Sequence, residues 1–152
     1  MQIKNKKPWL KAFLIFISVL FVACGIIIYL IFTERFEDTG KQAAAFSVSA
    51  VELIKEFQIN DSAANKKYVE KIMLVNGKIA ETEAVDSAIN VKMMDTLTGS
   101  YIIFAFQDQH IKEAKQLKEG DNVSIKGSCS GGIYSKILVT EFISFKRCAL
   151  NK

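Results

Sequence analysis

Residues 68–83, YVEKIMLVNGKIAETE, followed at 88–94 by AINVKMM, decide the fold of this chain. Their periodicity is that of strands. Ile72-Met73-Leu74-Val75 is apolar on both faces, and Gly77 sits in the middle of the first run. A mid-strand glycine marks a bulge or a bend, so 68–83 predicts one long, bent strand. In the second run Ile89, Val91 and Met93 share one face and Asn90 and Lys92 the other.

The pattern continues downstream. Residues 95–99 form a turn, and a third strand from Ser100 to Gln107 sets Ile102, Phe104 and Phe106 against Tyr101, Ile103 and Ala105. Asp108 can cap a short helix with the apolar stripe Ile111, Ala114 and Leu117, which Gly120 is placed to stop. A fourth strand runs from Asn122 to Cys129. A glycine-rich hairpin at Ser130-Gly131-Gly132 leads to a fifth from about Lys136 to Cys148. Strand, strand, strand, helix, strand, strand is the layout of a mainly β protein, a five-stranded OB-fold barrel with its helix between strands 3 and 4. The long, bent first strand serves both halves of such a barrel.

Upstream, Ser49-Ala50-Val51-Glu52 is a capping box. Ala50, Leu53, Ile54 and Phe57 then recur at helical spacing, which adds an N-terminal helix to the barrel. Asp61 can cap a second, short helix through Ala64. Residues 33–48 form a polar connector, and the folded domain is expected over 49–150.

The connector leads back to residues 12–32, which carry no charge. As a helix they would span about 32 Å, against a bilayer core of about 30 Å. Lys4, Lys6, Lys7 and Lys11 precede this stretch with no acid among them, and they equal the whole net charge of +4. The part after the anchor is therefore formally neutral. Lysines ahead of a single span keep residues 1–11 in the cytoplasm and place the domain outside it. Trp9 and Tyr29 stand where interfacial aromatics belong. The rival reading is a processed signal. Phe21-Val22-Ala23-Cys24 loosely follows a lipoprotein cleavage site with Cys24 lipidated, but the apolar run continues through Phe32, where a mature lipoprotein has a polar tether.

Several segments resemble one family. They are Ser49-Ala50-Val51-Glu52-Leu53 with Glu56-Phe57, Asn60 and Ala64-Asn65-Lys66-Lys67-Tyr68; Val75-Asn76-Gly77-Lys78-Ile79; Leu117 through Gly131; and Phe145-Lys146-Arg147-Cys148-Ala149-Leu150. Together they are similar to the bacterial tRNA anticodon-like OB-fold family over residues 49–150. The resemblance implies the fold and attachment to a membrane or envelope, and it transfers no catalytic residue.

The chemistry-bearing residues are few. Cys129 and Cys148 fall on the last two strands, and outside the cytoplasm such a pair can form a disulfide; two small buried apolar residues is the plainer alternative. His110 is the only histidine and is expected to be solvated at the start of its helix. Two cysteines without a nearby histidine do not make a structural zinc site, and no cofactor motif is present. No nucleophile has a base beside it, so the domain is expected not to be an enzyme. The outer face of strands 2 and 3 offers Asn90, Lys92 and Tyr101 as a ligand face, a sparse form of the basic and stacking pattern that binds single-stranded nucleic acid. The neutral domain charge disfavours that partner, because phosphate neutralisation drives such binding. Contact with the added helix is the alternative reading of Tyr101 and Ile103. The expected function is a membrane-anchored, extracytoplasmic binding or scaffold module for an envelope protein, peptide or glycan. The alternative is a single-stranded nucleic-acid-binding domain.

Overall fold

The computed structural model describes residues 8–33, 37–85 and 88–151, and the chain parts into two units, Met1–Glu37 and Asp38–Lys152. Lys4, Lys6 and Lys7 lie outside the described residues, as does 34–36.

The first unit is helix α1, Pro8–Thr33. Proline suits a helix start, where its missing N–H breaks no bond. Its Ala12–Ile31 segment is long and apolar enough to cross a membrane, and none of it is buried. Trp9 packs on Phe13 with ring centroids 6.3 Å apart.

The second unit is a mixed seven-stranded sheet with helices packed on it. Its strands are β1 (Phe46–Ser49), β2 (Ile72–Lys78), β3 (Glu81–Val85), β4 (Ala88–Met94), β5 (Tyr101–Phe106), β6 (Asn122–Ser135) and β7 (Thr140–Leu150). They lie in the order β1-β2-β6-β7-β5-β4-β3. The β1/β2 and β5/β7 pairs are parallel and the others antiparallel. The connectivity is OB-like, but the sheet has two more strands than expected and its ladder ends at β1 and β3. A barrel of five closed strands is therefore corrected to this larger mixed sheet.

The long first strand divides into β2 and β3. At the break Ile79 N–H donates to Asp121 O (2.9 Å) and Ala80 N–H to Lys92 O (2.8 Å), so the chain leaves the β6 side and joins the β4 side within two residues. The bend thus falls at Ile79 and Ala80, not at Gly77. Gly77 has another task. A Cβ there would meet Met93 Sδ at 2.7 Å and Ala50 Cβ at 2.9 Å, so the missing side chain admits the first turn of α2.

Helix α2 (Ala50–Ile59) begins with the capping box. Ser49 Oγ accepts from Glu52 N–H (3.2 Å) and Glu52 accepts from Ser49 N–H (3.2 Å). Its stripe of Ala50, Leu53, Ile54 and Phe57 is buried. Helix α3 (Asp61–Tyr68) is longer than its sequence suggested and is capped by Asn60, whose side chain accepts from Ala63 N–H at 2.9 Å. Tyr68 therefore ends a helix rather than starting a strand. Its hydroxyl donates to Glu56 (2.8 Å), and its ring meets Phe46 edge-on at 5.1 Å. The hydrogen bond from Tyr68 and the neighbouring Lys67 hold the Glu56 carboxyl below its usual range.

The remaining differences cluster around glycines and short turns. Ser130-Gly131-Gly132 is inside β6, and the hairpin turn is at residues 136–139. A Cβ at Gly132 would collide with the Phe57 ring, and Asn65 clasps the Gly132 backbone, accepting from its N–H and donating to its carbonyl, both at 3.0 Å. These glycines admit helices rather than turning the chain. The helix before β6 shrinks to a 3-10 turn at Asp108–His110 and a single turn, α4 (Ile111–Ala114); Asp108 provides no side-chain cap. Residues 38–48, read as the outer part of the connector, are packed into the second unit: Thr39 is buried and β1 is paired with β2.

Candidate ligand-binding face

The cross-strand register assembles an outer face on β4, β5 and β7. Met94 pairs with Tyr101, Tyr101 with Phe142 and Phe142 with Ile133, which makes one row. Lys92, Ile103, Ser144 and Gly131 form the next. Asn90 lies beyond them, opposite Ala105 and Glu83. Paired residues share a face, so Asn90, Lys92 and Tyr101 do lie on one surface.

The Tyr101 and Phe142 rings lie 5.4 Å apart, tilted by 52°. Both are half-buried, and neither belongs to the core or packs against it. The alternative reading of Tyr101 and Ile103 as contacts of the added helix is corrected here. The stripe of α2 is in the core cluster with Ile102 and Phe104, on the opposite side of the same strand. Sequence reasoning missed Phe142. Alternation along β7 hinted at it, but only the parallel β5/β7 pairing brings it to Tyr101.

Lys92 is flanked by acids, with Glu81 at 3.0 Å and Glu83 at 3.7 Å. The hydrogen bond to Glu81 pushes its pKa up, so it stays charged. One cation against two carboxylates leaves this part of the face without the positive excess that phosphate binding needs.

A second concavity was not anticipated. A cleft of about 640 Å³ is lined by Asn76, Asn122, Ser124 and Asn151, with Leu117 and Leu150 among its apolar walls. Ser124 Oγ donates to Asn76 Oδ1 at 2.6 Å. Its polar groups come from three separate stretches of chain, so no local motif announces them.

The other expected site residues are accounted for as follows. Cys129 and Cys148 are free, buried thiols. In the ladder Cys129 faces Phe145, and Cys148 faces Phe106 on β5. The irregularities between Lys126 and Ser128 and between Cys129 and Gly131 set this register, so the two cysteines read as a possible disulfide have different ladder partners. Burial pushes the Cys129 thiol up to about 11 and raises that of Cys148 well above its ordinary value. Cys24 is an exposed free thiol on α1. His110 is not solvated: its Nε2 lies 2.7 Å from Asp38 Oδ1, with the ring largely covered. Among the described residues no three His, Cys, Asp or Glu side chains group as metal ligands would.

Known proteins place this fold. Residues 1–142 match the tRNA_anti-like family. No curated protein matches the sequence. Among solved structures, a provisionally assigned nucleic acid-binding lipoprotein from Klebsiella pneumoniae subsp. pneumoniae superposes with a TM-score of 0.57 at 17% identity, covering 78% of this chain and all of that one. A provisionally assigned aspartyl-tRNA synthetase from Leishmania major superposes with a TM-score of 0.46 at 9% identity, over 83% of this chain and 25% of that one. The first likeness is one of fold. With the family match running through nearly its whole length, the chain belongs to the tRNA_anti-like family.

Proposed function

We propose that this protein is a membrane-anchored binding module without catalytic activity. Residues 12–32 hold it in a bilayer, the lysines at 4–11 keep the N-terminus cytoplasmic, and the OB-like unit works on the extracytoplasmic side. The observation that carries the binding role is the Tyr101–Phe142 pair, two aromatic rings on the outer face with no core to pack against. Such a face gives apolar contact area to a peptide, a glycan ring or an envelope protein. The test is photo-cross-linking from a benzophenone side chain at Ile103 in membranes containing the full-length protein. A specific adduct that Tyr101→Ala with Phe142→Ala abolishes supports the reading. No adduct, or one insensitive to those changes, refutes it.

Single-stranded nucleic acid is the second reading, and the same aromatic pair favours it. Bases stack on exposed rings for about 1–3 kcal/mol each. Glu81 and Glu83 beside Lys92 weigh against it. Titrating labelled oligonucleotides into the detergent-solubilised full chain at low salt separates the two. Salt-sensitive binding lost in Tyr101→Ala selects nucleic acid, and a flat titration removes it.

A further inference from the structure

The β6–β7 hairpin ends in an apolar tip with an unusual backbone. Its turn is Lys136-Ile137-Leu138-Val139, and the three aliphatic side chains are 92%, 64% and 67% exposed. Val139 N–H donates to Ser135 O at 2.8 Å and Leu138 N–H to Ser135 Oγ at 3.2 Å, so the turn is hydrogen-bonded. Val139 closes it at φ 56°. That left-handed conformation suits glycine or asparagine, and a β-branched side chain is strained there. The tip therefore keeps three large apolar side chains against solvent and, at one of them, against turn chemistry. Neither folding nor the outer face uses them.

The surroundings extend the patch. The β4–β5 loop stands beside the base of the hairpin, where a Cβ on Gly99 would meet Thr140 Cγ2 at 3.5 Å. Leu97 at its apex is 92% exposed. The one acid of that loop is turned inward: Asp95 is buried and accepts from Leu97 N–H (3.1 Å) and Thr98 Oγ1 (2.9 Å). Residues 131–140 contain no acid, and their one charge is Lys136. Tyr134, exposed on β6 just before the turn, adds an aromatic with a polar end. Aliphatics at the apex with a lysine and a tyrosine behind them are the order in which a membrane interface sorts side chains.

We infer that the hairpin tip, Ile137 to Val139 with Leu97 beside it, inserts into the interfacial layer of the bilayer that α1 occupies. The inference rests on the anchor reading proposed above and adds a second contact to it. A bilayer is favoured over a protein partner because the patch is a protruding tip, residues 131–140 carry no acid, and its aliphatics stand at the apex with Lys136 and Tyr134 behind them.

The test uses the full-length chain in phosphatidylcholine vesicles, with and without nitroxide-labelled lipid. An environment-sensitive NBD fluorophore is placed at native Cys24 in one sample. In a Cys24→Ala background it is placed at Ile137→Cys in a second and Glu119→Cys in a third; Glu119 precedes the far end of β6. Lipid nitroxide should quench the Cys24 and Ile137 probes several-fold and leave the Glu119 probe unchanged. Adding Leu138→Asp should release the Ile137 probe. An unquenched Ile137 probe beside a quenched Cys24 probe overturns the inference and leaves the anchor standing. An unquenched Cys24 probe overturns both. A blue shift at Ile137 without nitroxide quenching assigns the tip to protein contact and also overturns it.

Discussion

Asp38 and His110 are seventy-two positions apart in the chain and 2.7 Å apart in the fold. Asp38 also accepts from Gly40 N–H at 2.9 Å, so one carboxylate both caps the 3-10 turn at Thr39–Lys41 and ties it to the helical turn before β6. The His110 hydrogen bond and the Gly40 N–H hold its carboxyl below the ordinary value despite some desolvation. A lowered acid stabilises the fold fully above its unfolded pKa and loses that contribution as pH falls through the folded one. His110→Ala should therefore speed hydrogen exchange at Thr39–Gln42 several-fold at pH 6, and the difference from wild type should shrink under strongly acid conditions. Equal exchange at pH 6 would show that the contact fastens nothing.

Glu141 carries the opposite sign. It is 1% exposed, and its Oε1 has no hydrogen-bond partner. Desolvation raises its pKa, and Asp61 adds to the effect. A raised acid costs the fold nothing below its unfolded pKa, destabilises it progressively as pH climbs from there to the folded value, and costs the full amount above it. Glu141→Gln should raise Tm at pH 8 and change it little at pH 4. A uniform shift at both pH values would mean that the carboxyl is not ionising in place.

The seats of α2 are equally specific. Gly132 admits the Phe57 ring and Gly77 admits Ala50. Gly132→Ala and Gly77→Ala should each destabilise the domain by about 1–3 kcal/mol, the range for overpacking a filled site. In a Phe57→Leu background the Gly132→Ala penalty should fall, while that of Gly77→Ala should not. Urea unfolding of the wild type, the three single variants and the two doubles gives the coupling directly.

Thiol reactivity separates the three cysteines. With Cys129 pushed up to about 11 and burial raising Cys148 well above its ordinary value, neither supplies thiolate at neutral pH. Maleimide at pH 7 should spare Cys129 and Cys148 in the folded protein in detergent, and modify all three thiols after denaturation without reductant. Only one modified thiol after denaturation would reveal a bridge.

Much of this architecture was legible because it rests on local chemistry. The Ser49–Glu52 capping box, the alternation of Ala88–Met94 and the uncharged run at 12–32 are properties of neighbouring residues, and the structure holds the matching cap, strand and helix. The errors share a different cause. Gly77 and Gly132 look like bend and turn formers, yet what they accommodate, Ala50 and Phe57, lies far away in the chain. Val139 occupies a turn position where Gly or Asn is expected, so the true hairpin carries no turn signature. The Tyr101–Phe142 pair depends on a parallel pairing across two elements. Each of these relationships is set by tertiary packing, which periodicity does not encode.

The separate burial of Cys129 and Cys148 bears on how the protein is made. If the maleimide count finds both thiols unbridged, the fold needs neither an oxidase nor an isomerase, and its core assembles equally in a reducing or an oxidising compartment. Biogenesis then places no redox constraint on sidedness. On the orientation proposed above, that choice falls to the lysines ahead of the first helix and to the machinery that reads them.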